Sequence, residues 1–131
     1  MALTTTPVLA AVSMGAAAAE GSNLVITAAQ ASTVRARLTG FIDNGAAQGN
    51  NQKRVRLYYA VSATGAQTVA QVRQIAKWLD LIQAPTPAGR AHFESPIFDT
   101  FGGFIYTWTD VPLMENSLAV VVTASLVECP V

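Results

Sequence analysis

The sequence predicts a mainly β domain, a two-sheet antiparallel sandwich of jelly-roll type carrying one amphipathic helix, and three observations lead there. Thr33–Asp43 and Arg54–Ser62 alternate apolar and polar side chains with a period of two. Phe104–Thr109 and Leu118–Val127 have the ring-rich and β-branched composition of strands. Short stretches rich in Gly, Pro, Asn and Ser punctuate these runs. The pattern yields roughly five to eight strands and one helix, without repeats or a linker that would mark a second domain.

At 131 residues, 51% of them hydrophobic, the chain can build one core without disulfide or metal staples. Charged residues make up only 12%, about half the usual share, and eight cations balance eight anions. Much of the surface must then be Thr, Ser, Gln, Asn, Gly and Ala, which gives copies little mutual repulsion. This favours a subunit of an assembly over a small uncharged soluble domain. The single cysteine, Cys129, cannot form an internal bridge, so a disulfide scaffold and a paired-cysteine zinc site are both excluded.

Within Met1–Ser22, the run Val8–Ala19 resembles the apolar part of a signal peptide, but the first basic residue is Arg35. Ser13 and Gly15 also interrupt it well short of the ~20 apolar residues that a membrane-spanning helix needs. Residues 1–22 are therefore expected to be an extended arm, lying on its own domain or on a neighbour and removable without unfolding residues 23–131.

Asn23–Ala29 reads as a first short strand. In Thr33–Asp43, Val34, Ala36, Leu38 and Ile42 share one face and Arg35, Arg37, Thr39 and Phe41 the other. Asn44-Gly45 opens a polar loop through Gln52. In Arg54–Ser62, Val55, Leu57, Tyr59 and Val61 oppose Arg54, Arg56, Tyr58 and Ala60. Together these runs are expected to gather Arg35, Arg37, Arg54 and Arg56 on one side of a sheet, interleaved with Phe41 and Tyr58.

The period then changes. Val69, Val72, Ile75 or Ala76, Leu79 and Ile82 recur at helical spacing, Thr68 and Gln71 have capping-box spacing, and Pro85 and Pro87 forbid continuation. A helix of about four turns over Thr68–Ile82 is expected, with Trp78 off its main stripe. Pro85–Arg90 is a loop, His92–Glu94 and Ile97–Phe101 are strand pieces parted by Pro96, and Gly102-Gly103 permits a bulge or close approach. The last two strand-like runs are expected to pair as a hairpin around Asp110–Pro112 and Glu115–Ser117, projecting Phe104, Tyr106 and Trp108 from one face as core or contact surface.

The inventory for chemistry is thin. His92 is the only histidine and no G-x-S-x-G elbow accompanies it. His92 and Glu94 share a strand face, yet two ligands do not make a metal site. The carboxylates are scattered, and Gly102-Gly103 lacks the Lys-Ser/Thr of a phosphate-binding loop. No catalytic residue, metal or cofactor is nominated, and the expectation is a non-enzyme. Clustered arginines among rings could hold a nucleic acid, but zero net charge argues against it. The alternatives are a solvated sheet face or arginines that pair with a neighbouring chain's carboxylates. Tyr106, Trp108 and Trp78 could stack on sugar rings.

In its layout and composition over the whole chain, the sequence resembles the small structural proteins of tailed bacteriophages, most closely the capsid decoration, or cement, class. The resemblance is carried by Met1–Ser22, Thr33–Asp43, Arg54–Ser62 and the closing run Gly103–Glu128. It implies a subunit that self-associates, often as a trimer, binds a major capsid protein on the virion surface and stiffens the shell, after synthesis in the host cytoplasm. The helix Thr68–Ile82 departs from a minimal decoration fold. The interface candidates are Arg35, Arg37, Phe41, Arg54, Arg56, Tyr58, Trp78, Tyr106 and Trp108. The alternatives are a carbohydrate-binding β-sandwich of a phage tail or surface protein, with a glycan as partner, and a small hydrolase centred on His92.

Overall fold

The computed structural model describes residues 3–15, 20–43, 54–82, 89–113 and 119–130, and the strands among them form two antiparallel sheets. The first sheet contains β1 (Thr4–Gly15), β3 (Val34–Asp43), β6 (Arg90–Glu94), β7 (Phe98–Asp99) and β9 (Ala119–Pro130). Its order is β1-β9-β3-β6, with β7 also on β3. The second sheet contains β2 (Val25–Ala28), β4 (Arg54–Ser62), β5 (Lys77–Ile82) and β8 (Phe104–Leu113), in the order β2-β8-β4-β5. A short helix, α1 (Val69–Val72), and a single 3₁₀ turn at Arg73–Ile75 complete the described elements.

The period-two reading of β3 holds: Val34, Ala36, Leu38 and Ile42 are all buried. They meet Val120, Val122, Ala124 and Leu126 of β9, together with Val55, Leu57, Leu81 and Ile105 from the second sheet. This is the interior of the sandwich. A second apolar cluster lies on the outer side of the second sheet, where Tyr58, Ala60, Tyr106 and Trp108 are buried with Val72 of α1. Leu24, Val69, Ala76 and Phe104 pack around them. Each fully buried ring removes ~150–250 Å² from water, so this outer cluster is a substantial part of the folding energy.

Three expectations are corrected. The last two strands do not form a hairpin, because β8 belongs to the second sheet and β9 to the first. Alternation decides which side chains share a face, not which strands pair, and β3 offers β9 an unbroken register from Val34↔Pro130 to Asp43↔Val121. Asp110–Pro112 continue β8, while Glu115–Ser117 lie outside the described residues, as do most of the loops expected at 44–52 and 85–90.

The helix is also shorter than its stripe. The capping box forms, with Thr68 accepting from the Gln71 N–H and the Gln71 side chain accepting from the Thr68 N–H. At Ala76, however, the backbone is extended, with ψ 145°. Lys77–Ile82 then pairs with β4 from Tyr59↔Lys77 to Arg54↔Ile82. Leu79 and Leu81 alternate inward onto the core, which a helix would have placed on different sides. Satisfying one whole edge of β4 outweighs the intrinsic preference of a short, marginal helix.

The amino-terminal segment lies on its own domain, but as a strand and not as an arm. Thr4–Gly15 pairs with β9 and buries Val8, Leu9 and Met14. Residues 1–22 therefore cannot be removed without uncovering the interior.

One glycine fixes the approach of two central strands. A Cβ on Gly40 of β3 would lie 2.0 Å from the Thr123 carbonyl oxygen and 2.8 Å from the Phe93 ring. Backbone cannot yield as a flexible side chain can. Gly40→Ala is expected to lower unfolding stability by about 3 kcal/mol or more in urea titration, whereas an unchanged midpoint would mean that β3 and β9 can part at no cost.

Candidate interaction face

The two outer faces of the sandwich differ, because sequence has made one of them apolar. On the second sheet, Tyr58 of β4 and Trp108 of β8 stack in parallel with centroids 5.3 Å apart and planes 1° apart. Both are cross-strand partners, so pairing itself brings the rings together. The covering segment satisfies their polar atoms. Glu20 accepts the Trp108 indole N–H at 3.3 Å and pairs with Arg73, whose guanidinium sits 5.2 Å over the Tyr58 ring. The Tyr106 hydroxyl accepts the Gln67 N–H at 3.0 Å and donates to the Thr64 carbonyl.

Three of the interface candidates, Tyr58, Tyr106 and Trp108, are thereby removed from the surface and belong to the core. Trp78, on the edge strand β5, remains 50% exposed. It packs beside Tyr58 and under Arg56, which also bonds Asp80 at 3.2 Å. Arg54 is partly buried, and its Nε has no hydrogen-bond partner among the described residues.

The expected gathering of four arginines does not occur. β3 and β4 lie in different sheets, so Arg35 and Arg37 face one side of the sandwich and Arg54 and Arg56 the other. The alternation within each run was sound; the sheet assignment was not encoded in it.

The outer face of the first sheet carries no comparable apolar cluster among the described residues. Its charges are arranged in cross-strand pairs: Arg35–Asp99 at 3.2 Å, Arg37–Glu94 at 3.2 Å and Arg90–Asp43 at 2.7 Å. Arg90 engages both oxygens of Asp43 and lies 3.9 Å from the centroid of Phe41. Exposed pairs of this kind contribute only ~0–1 kcal/mol each to stability, so their value lies in ordering the surface. Beside them is an open groove of about 590 Å³, lined by Leu3, Thr39, Ile97, Val127 and Pro130 as well as Arg35, Arg37, Glu94 and Cys129. A smaller depression of about 340 Å³ continues it past Phe41, His92, Thr123 and Ser125, sharing Thr39 and Glu94 with the groove.

His92 is exposed here, edge-on to Phe41 with centroids 5.7 Å apart. Neither a hydrogen bond nor an ion pair to it is found among the described residues, nor any group of three or more His, Cys, Asp or Glu placed to hold a metal ion. No helix among them is long and apolar enough to cross a membrane. The acidic halves of the surface pairs, Glu94 and Asp99, were not singled out from sequence as surface partners, and nor were Ile97 and Phe101. Only the known register of β6 and β7 against β3 places them together. Comparison with known proteins adds no family: no family model matches the chain, and no curated protein matches it in sequence.

Among the described residues, the interior holds one titratable group with a clear displacement. Tyr59 points into the core against Phe98, with ring centroids 5.1 Å apart, and burial pushes its phenol above the ordinary value of 10.0. The folded state then holds the proton more tightly than the unfolded chain. The contribution is complete below pH 10 and is lost as pH rises from there through the higher folded value. Urea titrations are expected to show stability falling above pH 10, and Tyr59→Phe should flatten that fall; an identical decline in the variant would assign it to other groups.

Proposed function

We propose that the chain is a non-enzymatic virion structural protein, a capsid decoration or cement subunit that assembles with its own copies and with a major capsid protein on the shell surface. The observation that carries this reading is the contrast between its two broad faces. One is sealed by its own chain, with Tyr58, Tyr106 and Trp108 inside. The other displays ordered ion pairs around an open groove. A subunit of this kind works by contact, and the low charge of the chain suits display on a scaffold that keeps copies apart. Many weak contacts made at once become a firm one through effective concentration, which is how such a protein would stiffen a shell.

The carbohydrate-binding reading retains one observation in its favour. Trp78 is half-exposed, with Arg56 and Asp80 beside it as hydrogen-bonding groups. It has lost Tyr106 and Trp108, which are fully buried.

Attachment is measured by mixing purified protein with intact phage particles, pelleting them and weighing the protein left in solution. The wild-type chain is expected to deplete onto the particles, and Arg37→Glu, which reverses a charge on the open face, to reduce occupancy at least about tenfold. Protein that stays in the supernatant with every particle type, but whose Trp78 fluorescence is quenched by a glycan, would overturn the shell reading in favour of sugar binding.

A further inference from the structure

The turn between β7 and β8 is built against its own interest. The Gly103 N–H donates to the Thr100 carbonyl at 2.8 Å, and both central residues have positive φ, 51° at Phe101 and 67° at Gly102. That is the pattern of a type I′ turn, in which Asn-Gly is the favoured central pair and a bulky side chain at the first position is strained. Phe101 accepts this conformation and gains no burial for it, since 76% of it is exposed. Around it, Ile97 and Ile75 are 57% and 58% exposed, so three large apolar side chains stand together at one margin of the sandwich. Strain without burial is what a contact anchor looks like in a free subunit.

The same chain carries an open groove close by. Ile97 borders both the depression rimmed by Phe101 and the 590 Å³ groove on the first sheet, so knob and hole are adjacent. The charges between them complement a copy of themselves. Arg35 and Arg37 stand on β3, and their partners Asp99 and Glu94 stand on the strands next to it, β7 and β6. At the far end the order reverses, with Asp43 on β3 and Arg90 on β6. A two-fold axis directed along the boundary between these strands sets every cation of one copy over an anion of the other. It does so at all three pairs, including the reversed one.

We infer that two copies of this chain associate through a reciprocal contact in which Phe101 of each seats in the groove lined by Ile97 and Val127 of the other. This inference rests on that part of the proposed function in which copies of the chain meet, and it names the surface they use. A two-fold contact is self-complementary: the residue that is an anchor on one side is an anchor on the other.

The test uses the full chain in free solution, without particles. Sedimentation equilibrium over a broad concentration range should show the wild type passing from monomer to dimer. Phe101→Asn relieves the turn, so its urea midpoint should equal or exceed that of the wild type, while its dimer dissociation constant rises at least about thirtyfold. Val127→Lys should weaken the dimer similarly from the receptor side. Mixing the two variants should form a mixed dimer, because one intact pairing of knob and groove survives there and none survives in either variant alone. A wild type that stays monomeric, a dimer that persists in Phe101→Asn, or a mixture that forms no dimer overturns the inference. Particle pelling reads the shell proposal separately: particles that bind a monomeric wild type would sink this contact and leave that proposal standing.

Discussion

Two rings lying flat against each other on the outside of a sheet impose most of what is unusual in this molecule. The Tyr58–Trp108 stack follows from the pairing of β4 with β8, and once formed it must be kept from water. The chain meets that requirement with Leu24, the capped turn of α1 and the Glu20–Arg73 pair, which together close over the rings. The second sheet thereby becomes a middle layer with apolar material on both sides. Among the described residues, the first sheet is the one whose outer face carries no such cover.

The strands were legible in the sequence and their partners were not. β3 and β4 fall within a residue of the runs read by alternation, and the inward set on β3 is the one expected. Tyr58 and Ala60, by contrast, read as an outward half-buried face because a two-residue period marks faces without saying whether a second layer covers them. The stripe Val69, Val72, Leu79, Ile82 looked helical because spacings of three and seven fit a 3.6-residue period, yet in the structure Val69 and Val72 pack in the outer cluster, Leu79 packs on the interior and Ile82 is half-exposed. The change at Ala76 has no local signal; it comes from the open edge of β4. The arginine set failed for the same reason as the hairpin. Both depended on which sheet a strand joins, and that is settled by long-range pairing.

The ion pairs of the open face have a consequence for recognition. Each arginine there already holds a carboxylate of its own chain, so a visiting surface must exchange partners and not simply neutralise a free charge. Exchange of matched pairs is nearly neutral in energy when both states are solvated, but it penalises a partner whose charges are out of register. Used as proposed, such a face would select its partner more strongly than it holds it. The holding would come from apolar contacts in the groove.

The irregularity of β1 matters for a protein that would be displayed in many copies. It stands at the margin of the first sheet, and its register with β9 breaks between Pro7 and Leu9 and again between Leu9 and Val12. Pro7 has no N–H to offer, and Ala11 turns aside with φ at 54°. A straight margin would template the next chain's strand and run on into fibres, with crowding on a surface making that worse. This one breaks the ladder every few residues, so copies crowded together would meet through side chains and remain separable.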